Sequence, residues 1–300
     1  MQLDAKSLIL FIAPAILFFG LIYVYPALST LSLSLFDVAN FSFTDATFVG
    51  LQNFSSLMTT PLFLLSLRNI FVIWLVGGIV VFGLSFLFVA LLRTLPPWPR
   101  NFFRAAIFLP NIVNVVAIVT IWTQYVYNPR GGLLVGLFNA LGLTDLARVQ
   151  WMAPDMVFWA MLVAYLWGAL GWFAVIIMAG EETIPTDIYE AARLDGAKGA
   201  RLFFDFTIPL IFGVLKVAVV MWTVTVINLF AFVKAFNPIA TSEQTYTPAL
   251  YLYELAFGAT ISGGPQQVGK AAAAATILLV LVLVAATIVE RLMRRERLEY

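Results

Sequence analysis

The sequence predicts an all-α integral membrane protein with six transmembrane helices. Of its 300 residues, 62% are hydrophobic and only 11% are charged, and the mean hydropathy is +0.97. Soluble domains carry about 25% charged residues. A span needs about 20 mainly apolar residues to cross about 30 Å of hydrocarbon. Six runs meet this length, at residues 8–33, 67–92, 105–127, 155–180, 208–233 and 269–291.

The first apolar run is expected to stay in the protein as a membrane span. A secretory signal has a short apolar core that ends at a small-residue cleavage site. Here the apolar stretch continues to Phe36 without such a site. We therefore divide the chain into an N-terminal span with the first external loop (1–66), a five-span core (67–291) and a cytoplasmic tail (292–300).

The basic residues predict the orientation. With six spans, both termini and the second and fourth loops share one side, and that side holds eleven of the 17 Lys and Arg residues. Cytoplasmic loops carry the excess of Lys and Arg, so the termini are expected in the cytoplasm. The residues on this side are Lys6, Arg93, Arg100, Arg104, Arg193, Lys198, Arg201, Arg291, Arg294, Arg295 and Arg297.

The connections differ between the two sides. Residues 37–66 and 128–154 are the longest outer connections and are candidates for docking a partner outside. The inner loop 93–104 contains three prolines and is expected to be short, stiff and only connecting. Residues 234–268 are too polar to span, and they hold a predicted interfacial helix at 251–257 and a turn at Ser262-Gly263-Gly264-Pro265.

The composition argues against catalysis by this chain. Cysteine and histidine are absent, which removes the thiolate nucleophile, the commonest general base and the commonest metal ligand. The sequence also lacks a Walker-type loop, a GxSxG elbow and an HExxH helix. We therefore expect a non-catalytic membrane subunit with no metal site.

The loop at 181–207, between the fourth and fifth spans, contains a predicted short helix. Pro185, Thr186 and Asp187 are typical helix-start residues, and Asp187 and Glu190 have capping-box spacing. Gly196 is placed to end the helix in a left-handed conformation. Ile188, Ala191, Ala192 and Asp195 recur on one face, where the alanines form a flat patch. Alternatively, Glu190 only caps its own helix and the alanines are ordinary helix formers.

This pattern resembles a known family. Glu190-Ala191-Ala192, three residues, Gly196 and then Ile208-Pro209 resemble the EAA loop in membrane subunits of binding-protein-dependent ABC importers. Residues 48–54 (FVGLQNF) and 104–110 resemble the carbohydrate-uptake, maltose-type branch. The sequence departs from that pattern at Phe206, at Ile208 in place of the usual leucine, and at 235–238 (AFNP) after the fifth span.

The resemblance implies a type I ABC importer permease of MetI-like architecture in a prokaryotic inner membrane. The implied partners are a second permease subunit, expected to be a different chain, a cytoplasmic ATPase dimer and an extracytoplasmic solute-binding protein. The implied ATPase-coupling residues are Glu190, Ala191, Ala192, Asp195 and Gly196. Glu190 would meet a basic residue of the ATPase, Ala191 and Ala192 would pack in its groove, and Gly196 would permit the turn. This chain would bind no cofactor, because ATP and Mg²⁺ would bind to the ATPase.

The solute path is predicted on the fourth and fifth spans, which carry the sugar contacts in the maltose-type family. Polar and aromatic residues within spans usually face a cavity or a neighbouring helix. Each of the two spans places three such residues on one face, and a sugar could use their hydroxyl, amide and aromatic groups. The alternative role is helix-to-helix packing. The six are Tyr165, Gly168, Trp172, Met221, Thr225 and Asn228, and Asn111 and Asn114 are second-rank candidates.

Three solute or transporter classes remain open from the sequence. A neutral di- or oligosaccharide is preferred. A permease for glycerol phosphate or another polyol should place a cation in the cavity, and only Lys216 could serve. A self-sufficient secondary transporter would ordinarily show carboxylates within its spans, and the apolar runs contain no buried carboxylate that suggests proton or sodium coupling.

Overall fold

The computed structural model describes residues 5–199, 201–237, 242–258 and 266–293 and is almost entirely helical. The predicted turn at 262–265, Pro238 and the arginines at 294, 295 and 297 lie outside these residues. The helices are α1 (Ala5–Phe19), α2 (Tyr25–Leu33), α3 (Gln52–Thr59), α4 (Pro61–Val72), α5 (Gly78–Leu92), α6 (Pro97–Ile112), α7 (Val115–Thr120), α8 (Leu133–Ala140), α9 (Thr144–Ala147), α10 (Val157–Glu181), α11 (Thr186–Leu194), α12 (Ile208–Leu210), α13 (Phe212–Ile227), α14 (Ala231–Phe236), α15 (Pro248–Phe257) and α16 (Val268–Leu292).

Wider π-helical turns extend several of these helices. They lie at Gly20–Val24, Ile73–Gly77, Ile121–Val126 and Leu202–Thr207. The first joins α1 to α2 and the second joins α4 to α5, so each pair forms one long helix. A short 3₁₀ turn at Glu243–Thr245 precedes α15.

The described residues contain six spans when each bent helix pair is taken as one. Four helices are long and apolar enough to cross a membrane alone, at Phe11–Leu33, Pro61–Leu92, Val157–Glu181 and Val268–Leu292. The other two spans are bent, by 99° between Pro97–Ile112 and Val115–Val126 and by 74° between Leu202–Leu210 and Phe212–Ile227. The predicted number and order of spans are therefore confirmed, whereas the bends were not predicted.

Two span boundaries differ from the prediction. The loop expected at 93–104 is mostly helical, because α6 begins at Pro97. Proline is tolerated in the first turn of a helix, where its missing N–H has no intrahelical partner. The fifth span was predicted to continue to residue 233, but α13 ends at Ile227 and α14 begins separately at Ala231.

The chain divides into two compact units. One comprises Met1–Leu64 and Pro248–Leu281, and the other comprises Leu65–Thr247 and Val282–Tyr300. The predicted division at 1–66, 67–291 and 292–300 follows expected roles and stays a prediction. The helix predicted at 251–257 is present as α15, which begins earlier, at Pro248.

In the first unit, Asn53 fixes the chain that follows the first span. A short hairpin pairs β1 (Phe36–Asp37) with β2 (Thr47–Phe48). The buried Asn53 amide donates hydrogen bonds to the carbonyls of Ser34 and Phe36, each at 2.9 Å. Gly269 of α16 lies so close to the Phe36 carbonyl that a Cβ would be 2.0 Å from its oxygen. The asparagine of the FVGLQNF segment therefore has a structural role.

In the second unit, α10 is the central helix and packs against α5, α6 and α13. Small residues allow the close approaches. Trp222 of α13 is buried against Gly77 and Gly78, and its indole N–H donates to the Trp74 carbonyl at 2.9 Å. A Cβ at Gly171 of α10 would lie 2.1 Å from the Ile107 carbonyl oxygen of α6. Glycine at these positions determines the helix spacing around the cavity described next.

Candidate functional site

A cavity of about 370 Å³ opens among α6, α7, α10, α13 and α14. Its size lies within the range of about 300–1,000 Å³ that is typical of ligand pockets. The lining is uncharged and combines aromatic rings, aliphatic side chains and a few polar groups. These residues are Pro110, Asn111, Val113, Val115, Ile118, Tyr165, Gly168, Ala169, Trp172, Phe173, Met221, Thr225 and Phe232.

The cavity brings together five of the six residues predicted for the solute path, Tyr165, Gly168, Trp172, Met221 and Thr225. Asn228 is not among the lining residues. It caps the C-terminus of α13, and its amide donates to the Val224 carbonyl at 2.9 Å. Of the second-rank candidates, Asn111 lines the cavity, whereas Asn114 caps the N-terminus of α7 by accepting from the Val116 N–H.

Two polar atoms at the cavity are buried without a hydrogen-bond partner among the described residues. They are the amide nitrogen of Asn111 and the hydroxyl oxygen of Tyr165. Tyr165 is 9% exposed, and its ring packs against Trp222 and Phe232 with centroids 6.0 and 5.4 Å apart. Buried polar groups in native structures nearly always have partners. Both groups lack such a partner here, and both residues line the cavity.

The bend in the third span creates one wall of the cavity. The helix stops at Ile112, Val113 is extended, and α7 restarts after Asn114. Non-helical backbone at membrane depth is tolerated where it lines a cavity or is buried in protein. The break lies beside Pro110, Asn111 and Val113, which all face the cavity.

The short helix in the fourth connection is present as α11, Thr186–Leu194. Its start differs from the prediction: Pro185 occupies the N-cap position, so Asp187 and Glu190 do not form a capping box. Its end is confirmed. Gly196 has a φ of +86°, its N–H donates to the Arg193 carbonyl, and the Ala197 N–H donates to the Ala192 carbonyl. This pair of bonds is a Schellman motif, which requires a left-handed residue at Gly196.

The two alanines of α11 face opposite environments. Ala192 is 2% exposed and packs in an apolar cluster of this chain that includes Ile177, Ile184 and Leu215. The prediction that Ala192 belongs to an exposed patch is therefore wrong, because the helix turns this position inward. Glu190, Ala191 and Asp195 are exposed. Leu194, which the sequence reasoning missed, is 89% exposed and is an apolar side chain open to a partner.

Four polar residues connect α11 to the ends of three spans. The Nε atom of Arg93, at the end of α5, lies 2.6 Å from Oε1 of Glu181. Nη1 of Arg93 donates to the Thr207 hydroxyl at 3.2 Å, and the guanidinium carbon lies 4.0 Å from the centre of the Tyr189 ring. The hydroxyls of Tyr189 and Thr207 are 3.1 Å apart. We call Arg93, Glu181, Tyr189 and Thr207 the Arg93 cluster.

Sequence reasoning missed the Arg93 cluster because each member had an ordinary local explanation. In the sequence, Arg93 is accounted for as a topology determinant, and Tyr189 lies in the motif without a role of its own. A usable signal was the presence of a large aromatic residue beside Ala192, since α11 needs an inward face. That signal could not have named the partners, because Arg93 and Thr207 are 114 residues apart in sequence.

Comparison with known proteins identifies the family. Residues 88–298 match the family of binding-protein-dependent transport system inner membrane components. The chain belongs to this family. The matched residues include the cavity and α11, so both lie in the part of the chain that defines the family.

Individual members of the family agree with this assignment. The chain is 35% identical over 262 residues to the probable ABC transporter permease protein YurN of Bacillus subtilis, covering 85% of this chain and 86% of the relative. It is 32% identical to the alpha-glucoside transport system permease protein AglF of Rhizobium meliloti, covering 85% and 73%. It is 28% identical to the sulfoquinovosyl glycerol transport system permease protein SmoG of Agrobacterium fabrum, covering 84% and 80%.

The fold of this inner membrane component matches solved ABC importers. One match is a bacterial ABC transporter involved in the import of the acidic polysaccharide alginate, with a TM-score of 0.77 and coverage of 96% of both chains. Another is a bacterial alginate ABC transporter in complex with an alginate pentasaccharide-bound periplasmic protein, with a TM-score of 0.79 and coverage of 97% and 95%. Both are 19% identical, so they establish the fold, which is MetI-like.

The inner membrane component is thus a multi-pass permease subunit of an ATP-driven importer. Subunits of this kind are transport components. In the described residues, no three His, Asp or Glu side chains form a metal-binding group. The cavity and the exposed side of α11 are its two candidate functional features.

Proposed function

We propose that this permease subunit translocates a neutral sugar, expected to be a di- or oligosaccharide, that an extracytoplasmic binding protein delivers. The observation that carries the proposal is the uncharged cavity with two unpartnered polar atoms. Asn111 and Tyr165 offer an amide and a hydroxyl, and Thr225 adds a second hydroxyl. Trp172 and Phe173 supply aromatic faces. This combination matches a sugar, which presents hydroxyl groups at its edges and C–H groups on its faces.

The relatives support a sugar substrate. AglF is named for alpha-glucosides and SmoG for sulfoquinovosyl glycerol, and both cover most of this chain. An acidic or sulfonated sugar would favour a cation near its charge, because a desolvated anion needs a partner. The residues that line this cavity are uncharged, which favours a neutral solute for this chain.

A permease for glycerol phosphate or another polyol is the second candidate. Its cation would have to be Lys216, the basic residue within the fifth span. Lys216 pairs with Glu290 at 3.2 Å and is not among the residues that line the cavity. The geometry therefore favours the neutral sugar. A self-sufficient secondary transporter is not favoured, because the family is that of binding-protein-dependent systems.

We propose that α11 is the coupling helix that contacts a cytoplasmic ATPase dimer. Its outward side presents Glu190, Ala191 and Asp195 together with the fully open Leu194. An exposed leucine flanked by charges is suited to an apolar groove with a basic rim. Glu190 would meet a basic residue of that rim, and Gly196 fixes the turn that follows. Ala192 packs within this chain and has no place in that contact.

The partners follow from this arrangement. A second six-span permease subunit would complete the translocation path, and ATP and Mg²⁺ would bind to the ATPase. The excess of Lys and Arg on one side supports a cytoplasmic location for α11 and both termini. The binding protein would dock on the opposite side, where the 37–66 and 128–154 connections lie.

The test is purification of the tagged chain from its native host in mild detergent, with mass spectrometry of its stoichiometric companions. We expect a second six-span protein and a P-loop ATPase. The ATPase should be lost from a Glu190→Ala/Gly196→Val/Leu194→Ala variant while the second permease is retained. The matched control is Thr186→Ala, an exposed change at the other end of α11, which should retain both.

The solute is identified through the binding protein. Mass spectrometry of the small molecule carried by the host's cognate binding protein should find a neutral sugar. A phosphorylated polyol would instead establish the second candidate. A chain that purifies alone and moves solute without ATP would overturn the importer mechanism for this subunit.

A further inference from the structure

Resting on the proposed role of α11, we propose that Arg93 is a positioning residue that makes the coupling helix move as one body with the cytoplasmic ends of the second, fourth and fifth spans. Nothing in the family match assigns a role to this residue. The argument depends on the Arg93 cluster, in which one guanidinium contacts three elements that are distant in sequence.

The three contacts use three different parts of the guanidinium. The Nε edge meets the Glu181 carboxylate, Nη1 donates to Thr207, and the flat face covers the Tyr189 ring. A planar, delocalised cation can make all three contacts at once, whereas an ammonium is a point charge without a face. Glu181 ends α10, Tyr189 lies in α11 and Thr207 immediately precedes α12. Arg93 therefore contacts α11 itself, the end of α10 that precedes it and the turn before α12 that follows it.

The Arg93 cluster is largely buried, so its members are costly to separate. Thr207 is fully buried, Tyr189 is 7% exposed, and the side chains of Glu181 and Arg93 are 9% and 22% exposed. Apolar residues surround it, including Val89, Ile177 and Leu202. In such a low-dielectric setting, separating a paired charge is costly. A displacement of α11 is therefore expected to pull the ends of the spans with it.

A neighbouring ion pair provides a matched control. Glu182, the next residue after Glu181, pairs with Arg104 of α6 at 2.8 Å. Its side chains are 46% and 38% exposed, and in the described part of the chain this pair makes no hydrogen bond or ion pair with α11. The two pairs share the same chemistry at the same end of α10. They differ in burial and in their connection to α11.

The experiment uses the complete transporter in proteoliposomes with the ligand-loaded binding protein of the host. The measured quantity is the factor by which the binding protein stimulates the ATPase. For Arg93→Gln and Glu181→Gln we expect this factor to fall at least about fivefold, the lower end of typical coupling factors. The ATPase rate without binding protein should stay near the wild-type rate. Glu182→Gln should leave both quantities unchanged.

Thr207→Val keeps the shape of the side chain and removes its hydrogen bonds with Arg93 and Tyr189. It tests the proposal even if the charge variants fail to assemble. We expect a fall in stimulation of about threefold, consistent with the loss of a hydrogen bond. A role restricted to folding would lower the amount of assembled transporter and leave the stimulation factor of the remainder unchanged.

Unchanged stimulation in assembled Thr207→Val and Glu181→Gln transporters would overturn the proposal. Wild-type stimulation in the Arg93→Lys transporter would also overturn it, because lysine keeps the charge but lacks the planar face. These outcomes leave the proposed function standing, because the wild type still couples. Failure of the wild-type chain to bind an ATPase would instead refute the proposed role of α11.

Discussion

The cavity and the Arg93 cluster lie in the same unit of the chain and differ in whether their buried polar groups have partners. In the Arg93 cluster, the guanidinium, carboxylate and hydroxyl groups all have partners. At the cavity, the Asn111 amide and the Tyr165 hydroxyl have none among the described residues. Fully paired buried groups hold elements in one arrangement, whereas unpaired groups of residues that line a cavity are candidates for contact with a ligand. The comparison separates the region that we propose transmits motion from the region that we propose accepts a solute.

Gly171 and Gly168 of α10 test how closely the cavity walls depend on packing. Gly171→Val has the largest expected effect. Gly171→Val should destabilise the protein by about 3 kcal/mol, the upper range for overpacking, because its Cβ would lie 2.1 Å from the Ile107 oxygen. The measurement is the thermal unfolding midpoint in detergent. Gly168→Ala is the matched control, since its Cβ would meet Ile118 at an ordinary 3.9 Å. An unchanged midpoint for Gly171→Val would contradict the close approach of α6.

Filling the cavity should lower solute uptake and leave the stability of the protein unchanged. Gly168→Leu places a side chain in the space beside Tyr165 and Trp172. We expect uptake of the solute carried by the binding protein to fall about tenfold, equivalent to about 1.4 kcal/mol. The unfolding midpoint should remain near that of Gly168→Ala. Normal uptake by Gly168→Leu would show that the cavity lies off the solute path.

Two tyrosines test the contrast between paired and unpaired hydroxyls directly. Tyr189→Phe removes a hydroxyl that bonds to Thr207 and should destabilise the protein by about 1 kcal/mol. Tyr165→Phe removes an unpartnered hydroxyl and should leave stability unchanged or slightly raised, while it lowers solute uptake several-fold. Chemical unfolding of both variants, with uptake measured in parallel, checks the pair. Equal destabilisation by both would erase the distinction between the two regions.

The ion pair between Lys216 and Glu290 should have the smallest effect. Its side chains are 31% and 69% exposed, so the pair is far less buried than the Arg93 cluster. Exposed pairs contribute about 0–1 kcal/mol. Lys216→Met and Glu290→Gln should therefore change the unfolding midpoint and the uptake little. A large loss of uptake with Lys216→Met would indicate that this lysine lies in the solute path and would favour a phosphorylated substrate.

Much of this protein is determined by signals that act over a few residues. The length of each apolar run predicts a span, and all six spans occur in the predicted order once the bent pairs are counted as one. Gly196 predicts the left-handed end of α11, because other residues rarely adopt that conformation. Helical spacing also predicts a shared face for Tyr165, Gly168 and Trp172, and all three line one cavity.

Other features are decided only by contacts between distant segments. Ala191 and Ala192 are the same residue type, and the packing of α11 against its own chain turns Ala192 inward and leaves Leu194 open. The partners of Arg93 likewise depend on which helices meet α10 and α5. A local pattern describes how a segment prefers to fold. The direction that its side chains face is determined by the surfaces that fold against it.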